Sequence, residues 1–467
     1  MNSDEKLLTL ISKLCNVKYQ DFPLGFQDFV KRDILDSLGA AIAGSSRRLT
    51  RTLLDAFGDK ASSQTATLLG SWRSAEVRDA ALINGTCAHA WELDDTYEGG
   101  GAPLHAGGVI VTSALTMADA VGGVSGKEFL AAVGAALELE CRIARATSGG
   151  LGGWHLTSVY GYFGSAMACA RILKLTPEQT VHALGISFAQ ASGNLAATAD
   201  AADTKALQAG LAATGGTLSA ILASKGVTGP LNSFDGPRGL FALYHKGAYD
   251  PDQLYNGVLE TWVAEGIGFK PWPSCRYTQG YLTALMDLRA RHHLTPETVK
   301  ELRLSSVFPK FIEPREVKVS PRNAVDAQFS IPFTLACMLQ NGTMKVADLQ
   351  DDRLRDPALI EIARRVLPEG EAPTGDYGKD FPPATVTAIL HDGRQVSETA
   401  VHSLGHPSKR PLDFAAVGNK FRACVPSAAV PPSNESVEKF ISSVALLDTL
   451  PNVTELLRMM KREPLAA

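Results

Sequence analysis

The sequence predicts a mainly α protein: a large, discontinuous all-helical domain (residues 1–265 and 406–467) with a smaller α+β domain (266–405) inserted into it. Three observations predict this. Apolar residues recur at helical spacing almost without interruption up to about residue 265. β-Branched alternation appears only after Gly266. Helical spacing then returns from about Leu412. A chain of 467 residues also exceeds the usual reach of one hydrophobic core, which favours two domains.

In chain order, Val30, Ile34, Leu38 and Ile42 trace one face of a helix ending near Gly44. Ser74 and Glu76 open a run of small residues through Ala80, Ala81, Asn84 and Ala88. A second small-residue helix is expected over 107–119, and Phe129, Val133, Ala136, Leu137 and Glu140 trace another. A helix over 157–172 has Thr157 or Ser158 as its cap. Thr176-Pro177-Glu178-Gln179 reads as a cap followed by proline at the first helical position. The next helix carries Lys205 and is capped by Asp203 or Thr204. Helices rich in Ala and Gly bury little area each, so they must be packed on several sides, which predicts a large bundle and a subunit interface. In the smaller domain, 302–307 and 384–390 read as strands, and Asp392-Gly393 followed by Val396 predicts a hairpin. Helices are expected at 326–339 and 357–366, and in the tail Phe421, Val437, Phe440, Ile441 and Val444 restore the helical pattern.

A formal charge of -4 with scattered Lys and Arg excludes a nucleic-acid surface, so an anionic substrate must be drawn in by a local cluster. Seven cysteines form no CxxC pair and lie mostly in apolar runs, which fits free thiols in a reducing compartment. An acidic N-terminus without a basic flank and long apolar run is no signal peptide, and no run reaches the roughly 18 apolar residues of a membrane span. A cytoplasmic protein is expected. Gly-rich runs lack both the GK[ST] ending and a preceding strand, so neither a phosphate loop nor a dinucleotide fingerprint is supported.

The most informative stretch is NGTCAHAWELDDTYEGGGAPLHAGG, residues 84–108. Between His89 and His105 it holds Glu92, Asp94, Asp95 and Thr96, at or just past the end of a tightly packed helix. The glycines at 99–101 free the chain to fold back, because Gly adopts backbone angles other residues avoid. A solvated helix end explains one or two acids, but less well a cluster of acids with a histidine. The spacings match no tight metal-ligand pattern, and no metal site is expected.

Four further residues stand out. His155, in GGWHLTSVYG, precedes a helix start, where the dipole lowers the proton affinity of an imidazole and keeps it a base near neutrality. Lys205 lies in the first turn of a helix, where it opposes the dipole, a misfit that favours the uncharged amine. Lys270 and Arg276, in GFKPWPSCRYTQG, lie on a proline-stiffened segment between the domains and form a natural carboxylate receiver. Cys275 has no partner at recognisable spacing. The plain alternatives are a structural histidine, a structural lysine and a basic linker.

Taken together, NGTCAHAWELDDT, GWHLTSV, DTKALQAGLAA, FDGPRGL, FKPWPSCRYTQG and DAQFSIPF resemble the family of 2-methylcitrate dehydratase and cis-aconitate decarboxylase (MmgE/PrpD family) over nearly the whole chain. The resemblance implies a large helical domain with an α+β lid, a homodimer, and an interdomain site for small di- or tricarboxylates using no metal or organic cofactor. It implies site roles for His105, Thr96, His155, Lys205, Lys270, Asp94 and Asp95. Three departures stand beside it. Glu92 replaces the aspartate that begins the acidic motif, and a Tyr-Glu-Gly-Gly-Gly insert lengthens the spacing to His105, which Ala106 follows instead of proline. Gln279 stands where many members have histidine.

These departures point away from 2-methylcitrate itself and toward a changed pocket. The leading expectation is a cofactor-independent epimerase of a small amino or imino dicarboxylate such as iminodisuccinate. The alternatives are a 2-methylcitrate dehydratase-like hydro-lyase, a cis-aconitate-type decarboxylase, and a non-catalytic binding protein. The step shared by the epimerase and dehydratase readings is abstraction of a proton α to a carboxylate, while a decarboxylase needs an acid to protonate the carbanion left by carbon dioxide. His155 or Lys205 is the expected base and His105 the acid, with Lys270, Arg276 and Lys205 neutralising carboxylates and Glu92, Asp94 and Thr96 lining the pocket.

Overall fold

The computed structural model describes residues 3–60, 62, 64–373 and 381–461. Residues 1–2 and 462–467 of the expected helical domain, and 374–380 of the expected α+β unit, lie outside them. The protein is mainly α. Among the described residues, the buried apolar side chains form two clusters.

The larger cluster is built by helices Leu24–Gly44, Val77–His89, Gly107–Ala120, Gly126–Ala146, Leu156–Ile172 and Thr204–Ser224. Small residues let them approach closely. A Cβ added at Gly210 would lie 2.1 Å from Thr86 Oγ1 and 2.3 Å from the Leu82 carbonyl oxygen, so two helix backbones meet there with no room for a methyl group. The Thr204–Ser224 helix is long and apolar enough to cross a membrane by length and composition alone, contrary to the sequence expectation. It is packed here between Val77–His89 and Leu156–Ile172. Phe421, Val437, Phe440, Ile441 and Val444 of the C-terminal helices, Phe414–Cys424 and Asn434–Ala445, are buried in this same cluster.

The smaller cluster lies around a four-stranded sheet with strands in the order Val366–Glu369, Val299–Ser305, Ala384–Leu390, Gln395–Ala400. The first pair is parallel and the others antiparallel. Ala384–Leu390 and Gln395–Ala400 form the hairpin expected at Asp392-Gly393, with Gly393 at φ 90°. Helices Thr278–His292 and Ile331–Asn341 pack nearby.

Several local expectations change. Ser74–Glu76 is a short strand paired with Thr65–Thr67, and the helix starts at Val77 with the Glu76 side chain accepting from the Arg78 N–H. The helix expected over 326–339 is two helices, Ala324–Gln328 and Ile331–Asn341, because Ser330 caps the second and Pro332 fits its first turn. Neither Thr157 nor Ser158 caps the following helix: His155 is the N-cap residue and gives no side-chain bond. Asp203 occupies the N-cap of the Lys205 helix without capping it, and pairs with Arg48 at 2.5 Å instead. The Thr176–Gln179 capping box forms as its spacing dictates. No disulfide joins the cysteines: six are buried and Cys15 half-buried.

Candidate active site between the two cores

The acidic strip after His89 belongs to both cores at once. Trp91 and Leu93 are buried in the smaller cluster, and the Trp91 indole N–H donates to the Ala43 carbonyl oxygen at 3.0 Å. Glu92, with a positive φ of 53°, and Asp94 instead meet Lys205 and Lys270. A left-handed glutamate is a sparsely populated conformation, held here by buried contacts on both sides. Asp95 accepts from the N–H groups of Ala106 and Gly107 at 3.1 and 3.0 Å, thereby capping the Gly107–Ala120 helix from outside it. Thr96 and Tyr97 pair with Gly268 and Ile267, which ties the strip to the segment carrying Lys270. Gly100 and Gly101, both at positive φ, turn the chain so that His105 returns beside Thr96.

The contacts form a chain. Lys205 Nζ lies 2.6 Å from His89 Nε2, and His89 Nδ1 lies 2.5 Å from Asp94 Oδ2. Asp94 Oδ1 lies 3.9 Å from His105 Nδ1. Lys205 also contacts Glu92 directly, and Lys270 Nζ sits 3.4 Å from both Glu92 Oε2 and Asp94 Oδ1. The His105 ring lies 5.1 Å and the His155 ring 5.3 Å from that of His89, centroid to centroid. All these side chains are buried except His105, which keeps 16% of its side chain exposed.

Electrostatics follow from this burial. Burial, then the proximity of His105, lowers His155 to about 3, with Asp94 opposing, and its Nδ1 has no hydrogen-bond partner among the described residues. Burial and Lys270 lower His105 to about 4. His105 Nδ1 donates to the Asp95 carbonyl oxygen, which leaves Nε2 as the basic nitrogen. His105 is therefore a neutral imidazole at neutral pH, where the sequence reading expects an acid. Burial and the Lys270 ammonium pull Lys205 well below its ordinary range, while the contact with Glu92 favours the ammonium. Burial raises the Asp94 carboxyl, but His89, His105 and Lys270 together outweigh it and hold the group well below the usual range. Asp95 is pushed up to about 7 by burial and by Asp94 and Asp36, against the two helix amides.

The structure thus brings together His105, His155, Lys205, Glu92, Asp94, Thr96 and Lys270. Arg276 acts on His105 through its charge but is paired with Glu98 through two nitrogen–oxygen contacts, one at 2.8 Å. It lines a cavity of about 210 Å³ together with Tyr97, Glu98 and Phe381. Gln279 serves the fold: its side-chain N–H groups donate to the Trp272 and Ser274 carbonyl oxygens at 3.1 and 3.2 Å. His89, in the middle of the chain of contacts, is absent from the site expected from sequence. Its signal was its place at the helix end, three residues before Glu92. Among the described residues, no group of three or more His, Cys, Asp or Glu side chains is arranged to hold a metal ion.

Residues 9–252 match the MmgE/PrpD N-terminal domain and residues 272–446 the MmgE/PrpD C-terminal domain. The chain belongs to the MmgE/PrpD family. It is similar to a cis-aconitate decarboxylase of Aspergillus terreus (strain NIH 2624), 26% identical over 95% of this chain and 94% of that protein. It is also similar to the cis-aconitate decarboxylases of Mus musculus and Homo sapiens. Each is 25% identical over 92% of this chain, covering 88% and 89% of the relative.

Proposed function

We propose that the chain is an enzyme of small polycarboxylates that breaks a bond next to a carboxylate by acid–base chemistry of its own side chains, with a lyase reaction as its class. The observation that carries this reading is the buried run Lys205–His89–Asp94–His105, which joins a depressed amine to neutral imidazoles through one ionised carboxylate. An uncharged amine or imidazole has a free lone pair to take a proton from carbon. Lys270 supplies fixed positive charge where an aci-carboxylate develops, in a site of low polarity where such charge counts most. In decarboxylation the carbon–carboxylate bond breaks, its electron pair spreads into the neighbouring carboxylate, and a proton then closes the carbanion. An entering dianion raises the proton affinity of His105, which arms it to give that proton. In dehydration the amine or an imidazole takes the α proton while a protonated imidazole releases the hydroxyl as water. The names of the relatives support the lyase class.

Epimerisation of an amino or imino dicarboxylate is the second reading. It is favoured by one feature: Lys205 and His105 stand at the two ends of the run, as removal and return of a proton by different groups requires. A homodimer and a closing movement of the smaller unit belong to the same proposal, and sedimentation tests the first. Incubation with candidate acids in deuterium oxide, followed by NMR, separates the reactions. Loss of carbon dioxide or water supports the lyase reading, and exchange with inversion at the α carbon replaces it by epimerisation. Tight binding without any exchange or turnover overturns catalysis altogether.

A further inference from the structure

The geometry points to Glu98 as a specificity-determining residue: it holds the Arg276 guanidinium that would otherwise receive a further carboxylate of the substrate, and so sets how many carboxylates the site accepts. This rests on the small-polycarboxylate reading above.

Among the described residues lining the 210 Å³ cavity, Arg276 and Glu98 are the only Asp, Glu, Lys or Arg side chains. Arg276 is 8% exposed, and the Phe381 ring covers its guanidinium at 5.0 Å. Its Nε and Nη2 both meet the Glu98 carboxylate, the two-pronged geometry by which a guanidinium takes any carboxylate. Glu98 thus fills, from within the chain, the role that a carboxylate of the substrate would play. Its position is fixed rather than incidental: the Glu98 N–H donates to the Gly266 carbonyl oxygen at 2.7 Å, and the preceding Thr96–Tyr97 strand pairs with Ile267–Gly268.

Glu98 is also two residues from Thr96, whose hydroxyl lies 3.4 Å from His105 Nδ1, while Arg276 is six residues from Lys270. The pair therefore sits at the edge of the buried site, where a longer substrate would extend. At that site the Lys205 and Lys270 ammonium groups already face Glu92 and Asp94. Arg276 is occupied in the same way, so each of these three cations already faces a carboxylate of the chain.

The test is kinetic. Wild type, Glu98→Gln, Glu98→Asp and the double variant Glu98→Gln/Arg276→Gln are assayed against a matched series of unsaturated mono-, di- and tricarboxylates. Release of a buried two-pronged cation should lower KM for the most highly charged substrate by about ten- to a hundredfold in Glu98→Gln, with kcat within about twofold. KM for the least charged member should stay put, and the double variant should lose the gain. Glu98→Asp, which withdraws the charge by one methylene, should give the same ordering at smaller size, and it carries the test if Glu98→Gln does not fold. An unchanged order of preference, or a KM shift equal for all three substrates, overturns the proposal while leaving the proposed function standing. A wild-type chain that turns over no member of the series overturns both.

Discussion

Replacing Lys205 by Met separates what this amine does for the fold from what it does for the reaction. Met conserves most of the volume, so the packing change is small. The loss is polar: His89 Nε2 loses the partner at 2.6 Å, and Glu92 keeps the longer contacts to Lys270 at 3.4 Å and His89 at 3.9 Å. A buried acceptor left without its donor costs about 1–3 kcal/mol, and relief from burying an amine offsets part of that. We expect a net destabilisation of about 1–3 kcal/mol, small enough for a domain of ordinary stability to remain folded. Turnover should fall by far more, about 10²- to 10⁴-fold, the usual contribution of a positioned acid or base. Removing the amine also removes a positive neighbour of His89, so the His89 imidazole should take up a proton at higher pH than in the wild type. Chemical denaturation gives the first quantity, turnover of the active acid the second, and NMR titration of the imidazoles the third. Lys205→Arg keeps a charge without a readily titrated amine and should stay inactive. Turnover within about threefold of wild type in Lys205→Met, despite the stability loss, would refute the reasoning and leave Lys205 a structural lysine.

Two other outcomes follow from quantities above. His105 is lowered to about 4 in the folded chain and is near 6.5 unfolded, so its contribution to stability is complete above pH 6.5 and declines as the pH falls. At pH 4 this one ring should account for a loss of about 3 kcal/mol, and urea midpoints for wild type and His105→Asn should converge as the pH drops; parallel curves would contradict it. Gly210→Ala should destabilise by about 1–3 kcal/mol even though alanine favours a helix by about 1 kcal/mol, because the Leu82 carbonyl at 2.3 Å is backbone and cannot swing away. A neutral or raised Tm would show that the helices part easily there.

What the sequence made legible was local chemistry and period. The Thr176–Gln179 capping box and the Asp392-Gly393 hairpin are written within a few residues, and both form. The Ser74–Glu76 strand was read as helix because its partner, Thr65–Thr67, is a separate three-residue segment with no period of its own. The gathering of His105, His155, Lys205 and Lys270 could be anticipated from residue type and resemblance. The role of His89 could not, because a histidine ending a helix of small residues looks like part of its packing. Arg276 shows the other limit: its residue type suits a carboxylate, but its partner turns out to be Glu98, and pairing across 178 positions is a matter of folding, not of spacing.

The alternation along residues 91–94 has a further consequence. Tryptophan and leucine pack in the smaller core while Glu92 between them reaches both Lys205 of the larger unit and Lys270 of the smaller, so the strip works like a stitched seam. Neither half of the protein made alone would present the carboxylates at their working positions. Any slippage of one body over the other would also pull directly on the groups that exchange protons.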